Sequence, residues 1–160
     1  MTSPLKYILR RFALKKNRSM AEHGIVPLAD LHSAVVFIDR TAPEADAAEA
    51  AAKEFFGGRG IALTVLSPGQ EQLNHAGYMR RAFRLPGGKP RGEDLFISLS
   101  CRDDDFASEF EARCSPAKFK IGCFPLEGGI YDMTVTPPDG ARLDQLALFG
   151  AITEYLLKIK

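Results

Sequence analysis

The chain of 160 residues is 46% hydrophobic and 26% charged, with a net charge of +1, which is typical of one globular domain large enough to bury a core. Its three cysteines contain no Cys-x-x-Cys pair, which argues against a disulfide framework or a zinc ribbon and favours reduced thiols. No apolar run approaches the ~18 residues of a membrane span, and the N-terminus lacks the apolar core of a secretory signal, so we expect a cytoplasmic protein.

Residues 1–20 are predicted to form a basic amphipathic helix. Ser3 is a suitable cap, and Pro4 suits the first turn. One face of this helix is apolar and carries Leu5, Ile8, Leu9 and Phe12. Residues 1–18 hold six cations and no acid, so they sum to +6 and the rest of the chain sums to 1 − 6 = −5. This asymmetry favours a polyanion or an anionic membrane surface as the partner of the helix.

Residues 33–160 are predicted to form a single Rossmann-like domain. A right-handed strand-helix-strand unit is predicted at its start. The first strand is the apolar run "SAVVFIDR", the helix is the alanine-rich "APEADAAEAAAKEFFGGRG", and the second strand is the run "IALTVLSPG". An irregular segment follows, and then come a strand "DLFISLS", a helix, the strands "KFKIGCF" and "YDMTVTP", and a closing helix. This order predicts an α/β fold: a three-layer sandwich with a mostly parallel sheet of about five strands and an extra basic N-terminal helix.

The closing helix carries two apolar stripes. The broader stripe suits the core, and the second contains Leu143, Leu146 and Leu157. We expect the N-terminal helix to cover this second stripe with its apolar face and to point its basic residues outward. The alternative is a homodimer through the C-terminal helix.

The chain resembles a family of small bacterial α/β proteins that forms a domain of unknown function. The resemblance lies in the segments "DLFISLS", "SPAKFKIG" and "YDMTV", in the basic N-terminal helix and in the apolar terminal helix. The similarity is sharp only over residues 94–135 and implies the fold without an activity. A fainter likeness is to the N-terminal half of heptosyltransferases. Those enzymes need a second domain for the sugar nucleotide, and this chain has no room for one.

A small polar cleft is expected where the parallel strands end, because open α/β sheets bind ligands beyond the carboxyl ends of their strands. The candidate ligand-binding residues there are Asp39, Arg40, Ser67 and Ser100. The alternative is that Asp39 and Thr41 cap the helix that follows them. No glycine-rich dinucleotide or phosphate loop, no metal spacing and no catalytic triad is present, so no cofactor, metal or catalytic residue is predicted.

A second basic region is the loop "YMRRAFRLPGGKPRG", in which arginines alternate with aromatic residues, as in sites that bind phosphates and stacked bases. Lys118 and Lys120 share one face of the strand "KFKIG", and lysines in such a strand also protect the edge of a sheet from unwanted pairing. The candidate nucleic-acid-binding residues are therefore Lys6, Arg10, Arg11, Lys15, Lys16, Arg80, Arg81, Arg84, Lys118 and Lys120.

Together these patterns favour a non-catalytic accessory protein that binds RNA or DNA through its N-terminal helix and its basic loop. One alternative is a small-ligand or enzyme domain that uses the cleft at the strand ends. Another is peripheral association with an anionic membrane surface, which would depend on Leu5, Ile8 and Phe12.

Overall fold

The computed structural model describes residues 3–136 and 144–160, in which helices cover both faces of a parallel sheet. The strands are β1 (Ser33–Phe37), β2 (Ala62–Leu66), β3 (Leu95–Ser98), β4 (Phe119–Gly122) and β5 (Met133–Thr134). The helices are α1 (Pro4–Asn17), α2 (Ala45–Gly57), α3 (Arg81–Arg84), α4 (Phe106–Cys114) and α5 (Gln145–Lys158). The predicted α/β sandwich with an extra N-terminal helix is confirmed.

The five strands lie in the order β2-β1-β3-β4-β5, and every neighbouring pair is parallel. The chain moves outward from β1 to β2 and then returns to the other side of β1 to form β3. The order therefore reverses between β1 and β3, and in open α/β sheets this is the point where ligands bind.

Alternating side chains of the sheet supply two separate cores. Val36 and Ile97 point to the face covered by α2 and α5, where Phe56 and Phe149 pack in the same cluster. The opposite face holds Phe37 and Phe96 and is covered by α4. Since both faces are covered, strands such as β1 and β3 read as continuous apolar runs.

The expectation that Lys118 and Lys120 share an exposed face is wrong for Lys120. Lys118 is exposed just before β4, but Lys120 is buried inside the strand. Its ammonium group donates a hydrogen bond of 2.9 Å to the backbone oxygen of Ala112 in α4. The physical reason is that β4 lies between β3 and β5 and under α4, so its second face is not thinly covered.

The expectation that α1 covers the second stripe of α5 is also wrong. α1 lies beside α4, on the other side of the sheet from α5, and Arg10 of α1 stacks over Phe106 of α4. In consequence Leu146 and Leu157 are 42% and 54% exposed. Leu143 lies outside the described residues. The homodimer through α5 stays a prediction.

Candidate functional site

The loops that follow β1 and β3 meet where the strand order reverses. Asp39 is buried there, and the Nε of Arg102 donates a hydrogen bond of 2.9 Å to its carboxylate. The hydroxyl and the backbone N–H of Thr41 also donate to Asp39. Burial alone would raise the pKa of Asp39, but the hydrogen bonds from Thr41 and the ion pair with Arg102 together hold this pKa below its ordinary value.

The structure brings the four predicted ligand residues to the same edge of the sheet, and the side chains of Asp39, Arg40 and Ser100 are engaged with the protein, whereas the buried hydroxyl of Ser67 has no hydrogen-bond partner among the described residues. Arg40 donates to the backbone oxygen of Ser67 over 3.0 Å, and the hydroxyl of Ser100 donates to Asp105 over 2.8 Å. The side-chain amide of Gln145 binds the backbone of Asp39 through both its oxygen and its nitrogen. The predicted helix-capping role of Asp39 is wrong, because α2 begins at Ala45 and its N-cap residue is Glu44. The Asp39 carboxylate instead accepts from Thr41 in the loop before the helix and from Arg102.

Beside this cluster lies a cavity of about 30 Å³, which is enough for about one water molecule. The hydroxyls of Ser98 and Ser108 are hydrogen bonded to each other at its wall, and Tyr131 closes it. The arrangement can hold a small polar species, but it has no room for a nucleotide or a sugar.

The basic loop "YMRRAFRLPGGKPRG" is attached to the body by buried ion pairs. Arg84 forms an ion pair with Glu111, which is fully buried on α4, and Arg91 approaches the same carboxylate to 2.8 Å. Glu93 accepts a hydrogen bond from Ser115 over 2.8 Å. Arg84 is therefore not part of an exposed basic surface, contrary to expectation, because its guanidinium group is buried and paired with Glu111.

The other candidate cations of this region lie on the surface. Arg80 and Arg81 are exposed at the start of α3, and Lys118 is exposed but lies 3.5 Å from a carboxylate oxygen of Asp94. The aromatic ring of Tyr78 stacks on Phe110 at 3.9 Å between centroids, so one face of this ring is already occupied within the fold.

The attachment of α1 depends on a basic side chain. The Nε of Arg10 donates to the backbone oxygen of Ala76 over 2.6 Å, and its guanidinium carbon lies 4.2 Å from the centroid of the Phe106 ring. After the helix, the N–H of Ser19 donates to the backbone oxygen of Arg113 over 2.8 Å. No residue of α1 is buried.

Because Arg10 faces the body, the apolar face of α1 faces solvent. At 100° per residue Arg10 lies about 140° from Leu5 and about 160° from Phe12 around the helix axis. Leu5 and Phe12 are each 68% exposed, and Ile8 and Leu9 are 48% and 42% exposed. These four residues are referred to below as the outer face of α1.

Four cations lie along one flank and at the C-terminal end of the outer face: Arg11, Lys15, Lys16 and Arg18 are all exposed. None of the four forms an ion pair with an acid in residues 3–136 and 144–160. The helix itself contains no acidic residue. The sequence predicted both the apolar face and the cations correctly, but it did not show that they would be exposed together.

A groove of about 1180 Å³ runs between α1 and the body. On the helix side it is lined by Arg11, Lys15 and Arg18 together with apolar residues, and on the body side by α4 and the turn at residues 127–130. Its volume lies above the range of about 300–1,000 Å³ that small-molecule sites usually occupy. We refer to it as the α1 groove.

Comparison with family models, with curated proteins and with solved structures gave no match. The resemblances noted from the sequence stay predictions. Across the described parts of the chain, no cluster of three His, Cys, Asp or Glu side chains is arranged to hold a metal ion, and no helix is long and apolar enough to cross a membrane.

Proposed function

We propose that the protein associates peripherally with an anionic membrane surface through α1. The observation that carries this proposal is the outer face of α1, an exposed apolar stripe flanked by cations that have no acidic partner among the described residues. A helix of this kind lies in the plane of the interface, with its apolar side in the acyl region and its cations among the headgroups.

The apolar contribution comes from four side chains that keep 42% to 68% of their surface exposed in the fold. Leu5 and Phe12 are two-thirds exposed, and a fully buried side chain of this kind contributes about 1.5–3 kcal/mol. Insertion of the outer face would remove this surface from water. A phosphate backbone offers no apolar surface for these side chains, which is why a lipid surface fits α1 better than RNA or DNA does.

The electrostatic contribution comes from Arg11, Lys15, Lys16 and Arg18. Each cation near an anionic leaflet contributes about 1 kcal/mol, and lysine stems reach across apolar surface to place their ammonium groups among headgroups. Lys16 lies about 20° from Leu5 on the helix wheel, so it closes the apolar stripe at its C-terminal end.

Flotation with lipid vesicles tests the proposal. We expect the chain to float with vesicles that contain phosphatidylglycerol and to stay unbound with vesicles of pure phosphatidylcholine. The double variant Leu5→Ser/Phe12→Ser should bind at least about tenfold more weakly, because it removes the two most exposed apolar side chains of the outer face.

The matched control is Leu146→Ser/Leu157→Ser, which changes two exposed apolar residues of α5, far from α1 in the fold, and should leave flotation unchanged. Equal losses in both double variants, or no binding to anionic vesicles, would overturn the proposal. If a DNA duplex or a single-stranded RNA is bound instead, with the same affinity in wild type and in Leu5→Ser/Phe12→Ser, the nucleic-acid hypothesis is the correct one.

A further inference from the structure

We infer that the α1 groove binds a single anionic lipid molecule of the membrane on which α1 lies. This inference rests on the proposed function and deepens it, because it assigns a ligand class to a cavity that surface association alone does not require. The argument comes from the charges, the apolar lining and the position of the groove.

The cations of the groove are free to bind a headgroup. Arg11, Lys15 and Arg18 line the groove from the helix side, and within the described residues none of them is paired with an acid. Arg113 on the body side is already engaged, since it donates to Glu109 over 3.0 Å and to the backbone oxygen of Glu127 over 2.9 Å. The groove therefore presents three unpaired positive charges on its helix wall, while its body wall includes Glu109, which is paired with Arg113, and Glu127. A headgroup phosphate would bind at the helix wall.

The remaining lining suits an acyl chain. Phe12, Leu14 and Met20 come from α1 and the residues after it, and Ile130 comes from the turn before β5. Met20 is 79% exposed, so most of its apolar surface is available to a ligand. A long flexible side chain of this type adapts to irregular apolar ligands.

The groove is continuous with the outer face of α1, because Ile8 and Phe12 belong to both. A helix that lies in the interface would therefore hold the groove open to the headgroup layer. A free anion would use the cations but not the apolar wall, and a neutral lipid would use the apolar wall but not the cations. An anionic lipid uses both.

The test uses the full chain and monomeric lipid, so that membrane binding is not a condition of the result. Dihexanoyl-phosphatidylglycerol, kept below its critical micelle concentration, is titrated into the protein and binding is followed by isothermal calorimetry. We expect saturable binding with one lipid per chain, no binding of dihexanoyl-phosphatidylcholine, and at least tenfold weaker competition by inorganic phosphate.

Met20→Glu places a carboxylate in the groove and should abolish lipid binding, whereas Ile25→Glu, at an exposed residue outside the groove, should not change it. Both residues are exposed, so neither variant is expected to unfold the protein. Loss in both variants, equal competition by phosphate, or no binding of the monomeric lipid would overturn the inference. In the last case, flotation of the wild type with anionic vesicles would still support the proposed function.

Discussion

Arg10 stacks its guanidinium over the ring of Phe106 at 4.2 Å from the centroid, and this contact determines which face of α1 is exposed. The same side chain donates to the backbone oxygen of Ala76 over 2.6 Å. A helix held by its polar side presents its apolar side to solvent. The position of one arginine therefore connects the packing of α1 with the surface that we propose for membrane association.

Replacing this arginine should release the helix without unfolding the body. In Arg10→Met we expect faster amide hydrogen exchange over residues 5–17, with little change in the melting temperature, because no residue of α1 is buried. Arg11→Met is the matched control, since Arg11 is exposed and its nearest ring, 5.8 Å away, belongs to Tyr7 of the same helix. If Arg10→Met lowered the melting temperature by as much as a core substitution does, α1 would be part of the cooperative unit.

The buried charges beneath α4 give a second prediction. Glu111→Gln leaves Arg84 and Arg91 without the carboxylate that they share, and breaking a buried ion pair costs about 3–5 kcal/mol. We expect urea denaturation to show a loss of this order. Glu109→Gln on the same helix removes a partly exposed pair with Arg113 and should cost about 1 kcal/mol or less. Equal costs in the two variants would show that the buried cluster is not important for stability.

The sheet could be predicted from the sequence because its signals are local. Each strand is a short apolar run between turn residues, and the strand-helix-strand order dictates parallel pairing. The same order brings Asp39 and Ser100 to one edge of the sheet. The order of the elements does not indicate how many polar partners each of these two residues has in the fold. Asp39 is hydrogen bonded to Thr41, Arg102 and Gln145.

The burial of individual cations could not be predicted, because it depends on partners that are distant in the sequence. Arg84 and Glu111 are 27 residues apart, and nothing local distinguishes Arg84 from its exposed neighbour Arg81. The same is true of Lys120. The alternation of side chains along β4 predicted which face Lys120 lies on, but it did not show that α4 covers that face. The orientation of α1 was missed because an apolar stripe normally packs on the core.

The pH dependence of the unfolding free energy should show how much the carboxylate of Asp39, which lies where the strand order reverses, contributes to stability. The pKa of Asp39 is depressed in the folded protein, so the charged carboxylate adds stability above its unfolded pKa of about 3.9 and loses it as the pH falls through the folded value. We expect Asp39→Asn to be less stable than wild type at pH 7, with the difference shrinking below about pH 4. Asp46→Asn is the control, because its side chain is 98% exposed. A difference that stays constant from pH 7 to pH 2 would contradict the role of the charge.

Tyr131 occupies the space above a glycine of β4. A Cβ atom on Gly122 would overlap the Tyr131 ring, which is partly buried and close to the hydroxyls of Ser98 and Ser108. Burial raises the pKa of the Tyr131 hydroxyl to about 12. The ring and the glycine thus form one packing unit at the end of the sheet.

Gly122→Ala should force the Tyr131 ring out of this position and cost about 1–3 kcal/mol of unfolding free energy, as overpacking generally does. In the background of Tyr131→Ala the same substitution should cost much less, because the clashing ring is gone, and the difference measures the coupling. Gly150→Ala is the control: it lies inside α5 with open space around its Cβ position, and it should stabilise the protein by about 0.5–1 kcal/mol through helix propensity. Urea denaturation of the four variants and the wild type measures all these values. If Gly122→Ala cost the same with and without the tyrosine ring, the contact with Tyr131 would not be what requires glycine at this position.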